Sequence, residues 1–181
     1  MRYAPYIWLV MLSSAAFGQS SASTNVSITM PSVALIDLLP AGSTNITLKM
    51  AAPAEAGVAT GTGTGNNSVW LVFTSAVTSG GSRSIKGDVV GTIPAGLRLR
   101  LDVAPYTGAG VGFTGGFSYV TSNKYLTSTS TSFIDNIKGA YTGNTYGSSG
   151  FRLTYSLEIQ NYASIRSGTT TLTVRYTMAD N

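Results

Sequence analysis

The chain contains no cysteine and no histidine, and only 10% of its 181 residues are charged. Without cysteine there is no disulfide to staple the fold and no mature N-terminal thiol for lipid attachment. Without either residue the common general base, the thiol nucleophile and the nitrogen and sulfur ligands of zinc are missing, which excludes Ser-His-Asp and Cys-His chemistry for this chain acting alone. The carboxylates are Asp37, Glu55, Asp88, Asp102, Asp135, Glu158 and Asp180, and no two are placed in the sequence like the paired acids of a glycosidase. A non-enzymatic protein without cofactor or metal is the expectation. Helical periodicity is also absent: no stretch sets apolar residues at i, i+3, i+4 and i+7 between caps. The runs GTGTGNN and GAGVG therefore lack the helix that a phosphate-binding loop opens, and read as loops between strands. Asp135-Asn136 offers two oxygens but not the run of ligands that a calcium loop needs.

Scarcity of charge bears on partners as well. Lys and Arg outnumber Asp and Glu by 11 to 7, but the basic residues are scattered singly, so the stripe that marks a nucleic-acid binder is missing. The surface must consist largely of Ser, Thr, Asn, Gly and Tyr, which is a weak barrier to the association of sheet edges.

What is present begins with a leader. Arg2, the apolar run YIWLVMLSSAAF and the small residues around Ala16-Phe17-Gly18 read as a signal peptide over residues 1–18, with cleavage before Gln19. The apolar run is short for a membrane span and no second one follows, so the mature chain is expected to be exported and not transmembrane. Residues 19–181 are the right length for a single domain with one core.

Short strands with one apolar face fill that domain. NVSITM places Val26, Ile28 and Met30 on one side before Pro31; VALIDLL is apolar enough for burial on both sides; NITLKM alternates Ile46, Leu48 and Met50 against Thr47 and Lys49. After a Gly, Ala and Thr-rich loop come VWLVFT, with Trp70 read as core, and RSIKGDVVGTI, where Gly87 and Gly91 suggest a bulge. LRLRLDV sets Leu97, Leu99, Leu101 and Val103 against Arg98, Arg100 and Asp102, and FRLTYSLEI follows the same pattern. FSYV and YLTSTSTSFIDNI lie between them. The clearest strand is the last, where Leu172, Val174, Tyr176 and Met178 alternate with Thr173, Arg175 and Thr177. Eight to ten such strands predict an all-β protein, an antiparallel β-sandwich, with a closed barrel as the competing architecture.

The leader, NVSITM, VALIDLLPAGSTNITLKM, KGAYTGNTYGSSGFRLTYSLEI and the terminal SGTTTLTVRYTMADN together resemble small exported β-sandwich proteins of Gram-negative bacteria. The end of the chain, Gly168 followed by a β-run closing in Thr-Val-Arg-Tyr, is similar to the last strand of archaic chaperone-usher pilins and spore-coat-U-like domains, although this chain lacks the cysteines that such pilins often pair. The resemblance implies an Ig-like, pilin-like sandwich completed by a strand from a neighbour, hence a homo-oligomer or filament, with a chaperone or outer-membrane assembly machinery as further partners. Residues 24–30 are the natural donor, with Val26, Ile28 and Met30 as anchors behind a flexible lead, and Leu172, Val174 and Tyr176 would line the partner strand. Such a donor can also pair at home, which gives a self-complemented monomer rather than a fibre. The alternative function is a monomeric module that binds a glycan or protein receptor through the tyrosines in or beside loops, Tyr106, Tyr119, Tyr125, Tyr141, Tyr146 and Tyr162.

Overall fold

The computed structural model describes residues 21–113, 118–119 and 124–181. The expected signal peptide, residues 1–18, lies outside the described residues. The chain divides into two units after Met30. In the described part of the first unit, residues 21–30, no strand forms, and Val26, Ile28 and Met30 are 75%, 79% and 80% exposed. The strand expected there is thus not present. Its three alternating apolar residues mark a face, but a strand needs a neighbour to satisfy its backbone groups.

The second unit, residues 31–181, is a β-sandwich of ten strands among the described residues. In chain order these are β1 (Val33–Leu39), β2 (Asn66–Ala76), β3 (Arg83–Val90), β4 (Leu97–Val103), β5 (Ser118–Tyr119), β6 (Lys124–Leu126), β7 (Thr131–Ile137), β8 (Ala140–Tyr141), β9 (Phe151–Ile159) and β10 (Thr173–Asp180). One sheet has the order β1-β2-β9-β4-β6, with β8 added on β2; the other has the order β10-β3-β7-β5. All pairings are antiparallel. This settles the architecture as two sheets rather than a closed barrel.

Alternation builds the core directly. Leu99, Leu101 and Val103 of β4 and Phe151, Leu153 and Tyr155 of β9 point inward and are buried, as are Val69, Leu71 and Phe73 of β2. They meet Ile85 and Val89 of β3 and Phe133, Ile134 and Ile137 of β7 from the opposite sheet. On the outer face of the first sheet the polar partners pair across strands: Arg98 lies opposite Glu158, and Arg100 opposite Ser156.

Three local expectations change. VALIDLL does form β1, but as the edge strand of its sheet rather than a strand covered on both faces: Leu35 is 64% exposed and only Leu39 is buried. NITLKM keeps its inward and outward alternation yet forms no strand. Gly87 is explained by close approach rather than by a bulge at that residue: a Cβ there would lie 2.8 Å from the Phe133 ring and 3.2 Å from the Tyr176 ring. The register of β3 against β7 instead shifts on either side of Ile85.

Candidate assembly edge

The terminal strand β10 is bonded on one side only. It runs against β3 from Thr173 opposite Val90 to Asp180 opposite Arg83, and no strand pairs with its other side among the described residues. The same holds for β1, whose ladder is with β2 alone. The two edges face each other at one flank of the sandwich, one from each sheet.

The inward side chains at this flank are incompletely covered. Val174, Tyr176 and Met178 on β10, Leu172 just before it, and Ile36 and Leu38 on β1 pack against the core but are only half-buried. Of the three residues expected to line a partner strand, Leu172, Val174 and Tyr176, all share this face; Met178 extends it. A hollow of about 300 Å³ opens between the edges, lined by Ile36, Asp37, Leu38, Gly42, Thr44 and Tyr176. The hydroxyls of Tyr176 and Tyr155 are 2.8 Å apart, joining the two sheets. Burial pushes the Tyr155 hydroxyl up to about 12 against the opposing effect of its bond to Tyr176. Burial of the hydroxyl end, with Tyr155 beside it, also carries Tyr176 well above the ordinary tyrosine value. Tyr176 as a residue is half-buried; its hydroxyl is the part bonded to Tyr155.

One end of the flank is closed by a buried arginine. Arg83 is 4% exposed. Its Nε donates to Asp180 Oδ1 at 2.6 Å, Nη2 to Ser32 Oγ at 2.9 Å, and Nη1 to Ala76 O at 3.1 Å and to the carbonyl of Val33. A single guanidinium thus ties the start of β1 and the end of β2 to the end of β10. Sequence reading missed this residue, since it looks like any other isolated base until folding brings two carbonyls and a carboxylate around it. Midway along the strand, Arg175 grips the buried Asp88 of β3 with two hydrogen bonds of 2.6 and 3.2 Å, which holds β10 to its sheet and leaves the other edge bare.

The loop tyrosines are dispersed. Tyr106 is half-buried and stacks on Phe113 with ring centres 3.8 Å apart; its hydroxyl accepts from Gly110 N and donates to Thr142 O. It belongs to packing. Tyr125 of β6 lies under the Arg98 guanidinium, 3.9 Å from its ring centre, and donates to Glu158 Oε2 at 2.9 Å. The Tyr125 bond, with those from Arg100 and Arg98, holds the Glu158 carboxyl below its usual range, and the same bond raises Tyr125. Tyr119 sits in β5 opposite Ile134, and its side chain lies outside the described residues. Tyr141, Tyr146 and Tyr162 are 48%, 49% and 50% exposed. Tyr146 donates to Ser68 O, and Tyr162 bonds Thr60 on a different loop, so these two present rings held at their hydroxyls.

Among the described residues no group of three acidic ligands gathers, and no helix is long and apolar enough to cross a membrane. No family model, curated protein or solved structure matches the chain.

Proposed function

We propose that the protein is a non-enzymatic, exported structural subunit that assembles with copies of itself into a fibre or surface layer through strand addition at the β10 edge. The observation that carries this reading is the mismatch within one sandwich: β10 has a full ladder on one side, no strand on the other among the described residues, and inward residues that are only half-buried. Residues 24–30 of a second copy are the donor. They carry three alternating apolar side chains that are 75–80% exposed, and backbone bonding to an edge with pockets for alternate side chains is the general mode of strand addition. Because donor and acceptor are different surfaces, the contact is heterologous and propagates. Export, transit through the periplasm and delivery by a chaperone or outer-membrane machinery belong to the same proposal.

Negative-stain electron microscopy and light scattering on the mature chain beginning at Gln19 test it. Filaments of uniform width support the reading, and Ile28→Asp should give a folded chain that no longer assembles. Monodisperse single chains, or filaments unaffected by Ile28→Asp, refute strand donation. A second reading, a monomeric glycan- or protein-binding module, is favoured by the exposed rings of Tyr141, Tyr146 and Tyr162. A glycan-array signal lost on Tyr146→Ala and Tyr162→Ala would select it.

A further inference from the structure

Residues 44–50 follow β1 after a turn closed by Ser43 N donating to Pro40 O at 3.1 Å. Thr44, Ile46, Leu48 and Met50 are half-buried while Asn45, Thr47 and Lys49 are exposed, which is the alternation of a strand. Ile46 and Leu48 pack against the core, and Thr44 lines the same hollow as Tyr176 of β10. Yet among the described residues no hydrogen bond, backbone or side chain, is made by any residue from 44 to 50. Their amides and carbonyls have no hydrogen-bond partner among the described residues, although the segment has the side-chain pattern that a ladder would use. Two bonds of 2.9 Å between Ala51 and Gly61 anchor its far end, and the exposed chain from 52 to 59 inside that bridge makes no strand.

We propose that residues 44–50 are an exchangeable strap, which covers the inward side chains of the open flank in the free subunit and gives way when a ladder-forming strand arrives from a second copy. This rests on the fibre reading above and adds its control. A strap held by side chains alone loses only the partial burial of Ile46 and Leu48 when it lifts, whereas an incoming strand gains a row of backbone hydrogen bonds that the strap never made. The flank is thus kept from open solvent in the monomer without being blocked, and assembly starts with displacement of the strap. Its anchors at the Pro40 turn and the Ala51–Gly61 bridge let it lift as a loop without unfolding either sheet.

The test uses the mature chain, whose lack of cysteine makes single-site labelling clean. In the free subunit, hydrogen exchange should find the amides of 44–50 exchanging at the rate of unstructured chain while those of β9 and β3 are protected. Leu48→Cys should react with a maleimide several-fold faster after assembly than before. The double variant Ile46→Ala/Leu48→Ala should assemble about tenfold faster than the parent, the factor that corresponds to losing partial burial of two aliphatic side chains. Should that variant fail to fold, Ile46→Val should still show the same direction with a smaller factor. Protected amides over 44–50, slower labelling on assembly, or equal or slower assembly by a folded variant would each overturn the strap. Failure of parent and variant alike to assemble removes the fibre reading and takes the strap's role with it, whereas assembly of both at one rate removes the strap alone.

Discussion

Along β4 and β9 the inward residues from Leu99 to Val103 and from Phe151 to Tyr155 are buried, whereas along β10 Val174, Tyr176 and Met178 are only half-buried. The strands look alike in sequence, each with strict alternation of apolar and polar residues. They differ in neighbours. β9 lies between β2 and β4, and β4 between β9 and β6; β10 has β3 and then nothing among the described residues. At the opposite flank Val89 N of β3 donates to Thr127 O at 2.8 Å, a backbone bond from one sheet to the residue after β6 of the other. Between β1 and β10 no backbone hydrogen bond joins the two sheets among the described residues, and their seven- and eight-residue edges are left available for pairing.

That contrast can be broken at specific residues. Leu101→Ala in the closed interior should cost about 3 kcal/mol in urea unfolding of the monomer, and Val174→Ala at the open flank about 1 kcal/mol, because less of its surface is removed from water on folding. Equal costs would mean that the two regions are packed alike. Arg83→Met should cost about 2 kcal/mol in the same experiment, since it takes the guanidinium from the Val33 carbonyl and the Asp180 carboxylate. It should also raise hydrogen exchange at the ends of β1 and β10 ahead of the rest of the sandwich.

Tyr155→Phe removes the hydroxyl pair that spans the open flank, at a cost of about 1 kcal/mol at neutral pH. Its signature lies at alkaline pH. The folded Tyr155 holds its proton up to about 12 while the unfolded chain releases it near 10, so above pH 10 the unfolded state binds fewer protons and stability falls until the folded group also titrates. The parent should lose stability across that window and Tyr155→Phe should lose less, as read from urea midpoints at successive pH values. Glu158→Gln, on the charged outer face of β9, is the smallest change expected, about 0.5 kcal/mol for a solvent-screened network. Because the folded carboxyl sits below its ordinary value, the parent's advantage over this variant should be present above the ordinary glutamate range and fade as pH falls through the folded value.

Much of this arrangement was legible in the sequence. The alternation in LRLRLDV, FRLTYSLEI and TLTVRYTMAD gave the correct inward residues, because a period of two leaves few choices once one face is buried. The same pattern in NVSITM and NITLKM predicts two more strands, and neither forms a ladder. Alternation reports which side faces the apolar medium; it carries no information about whether an edge lies one strand-width away to receive the hydrogen bonds. VALIDLL was misplaced for a related reason, since an apolar run does not distinguish a covered strand from an edge. Arg83 was invisible because its role depends on Ser32, Val33, Ala76 and Asp180, which are distant in the chain and converge only in the folded body. Of the tyrosines expected in or beside loops, Tyr119, Tyr125 and Tyr141 lie in β5, β6 and β8, and whether a ring packs, as in Tyr106, or faces water, as in Tyr162, depends on neighbours that local sequence does not name.

The Arg83 junction has a mechanical consequence. Ser32, just before β1, and Asp180, the last residue of β10, are bound by the same guanidinium. Tension applied between those two points would run through one buried side chain and a few polar bonds, bypassing the hydrophobic layers. A pull on a neighbouring strand laid along β10 would act in shear across a whole row of backbone bonds. Under load the body would therefore begin to come apart at this knot, where the two ends of the sandwich are tied, before the layers between the sheets were strained.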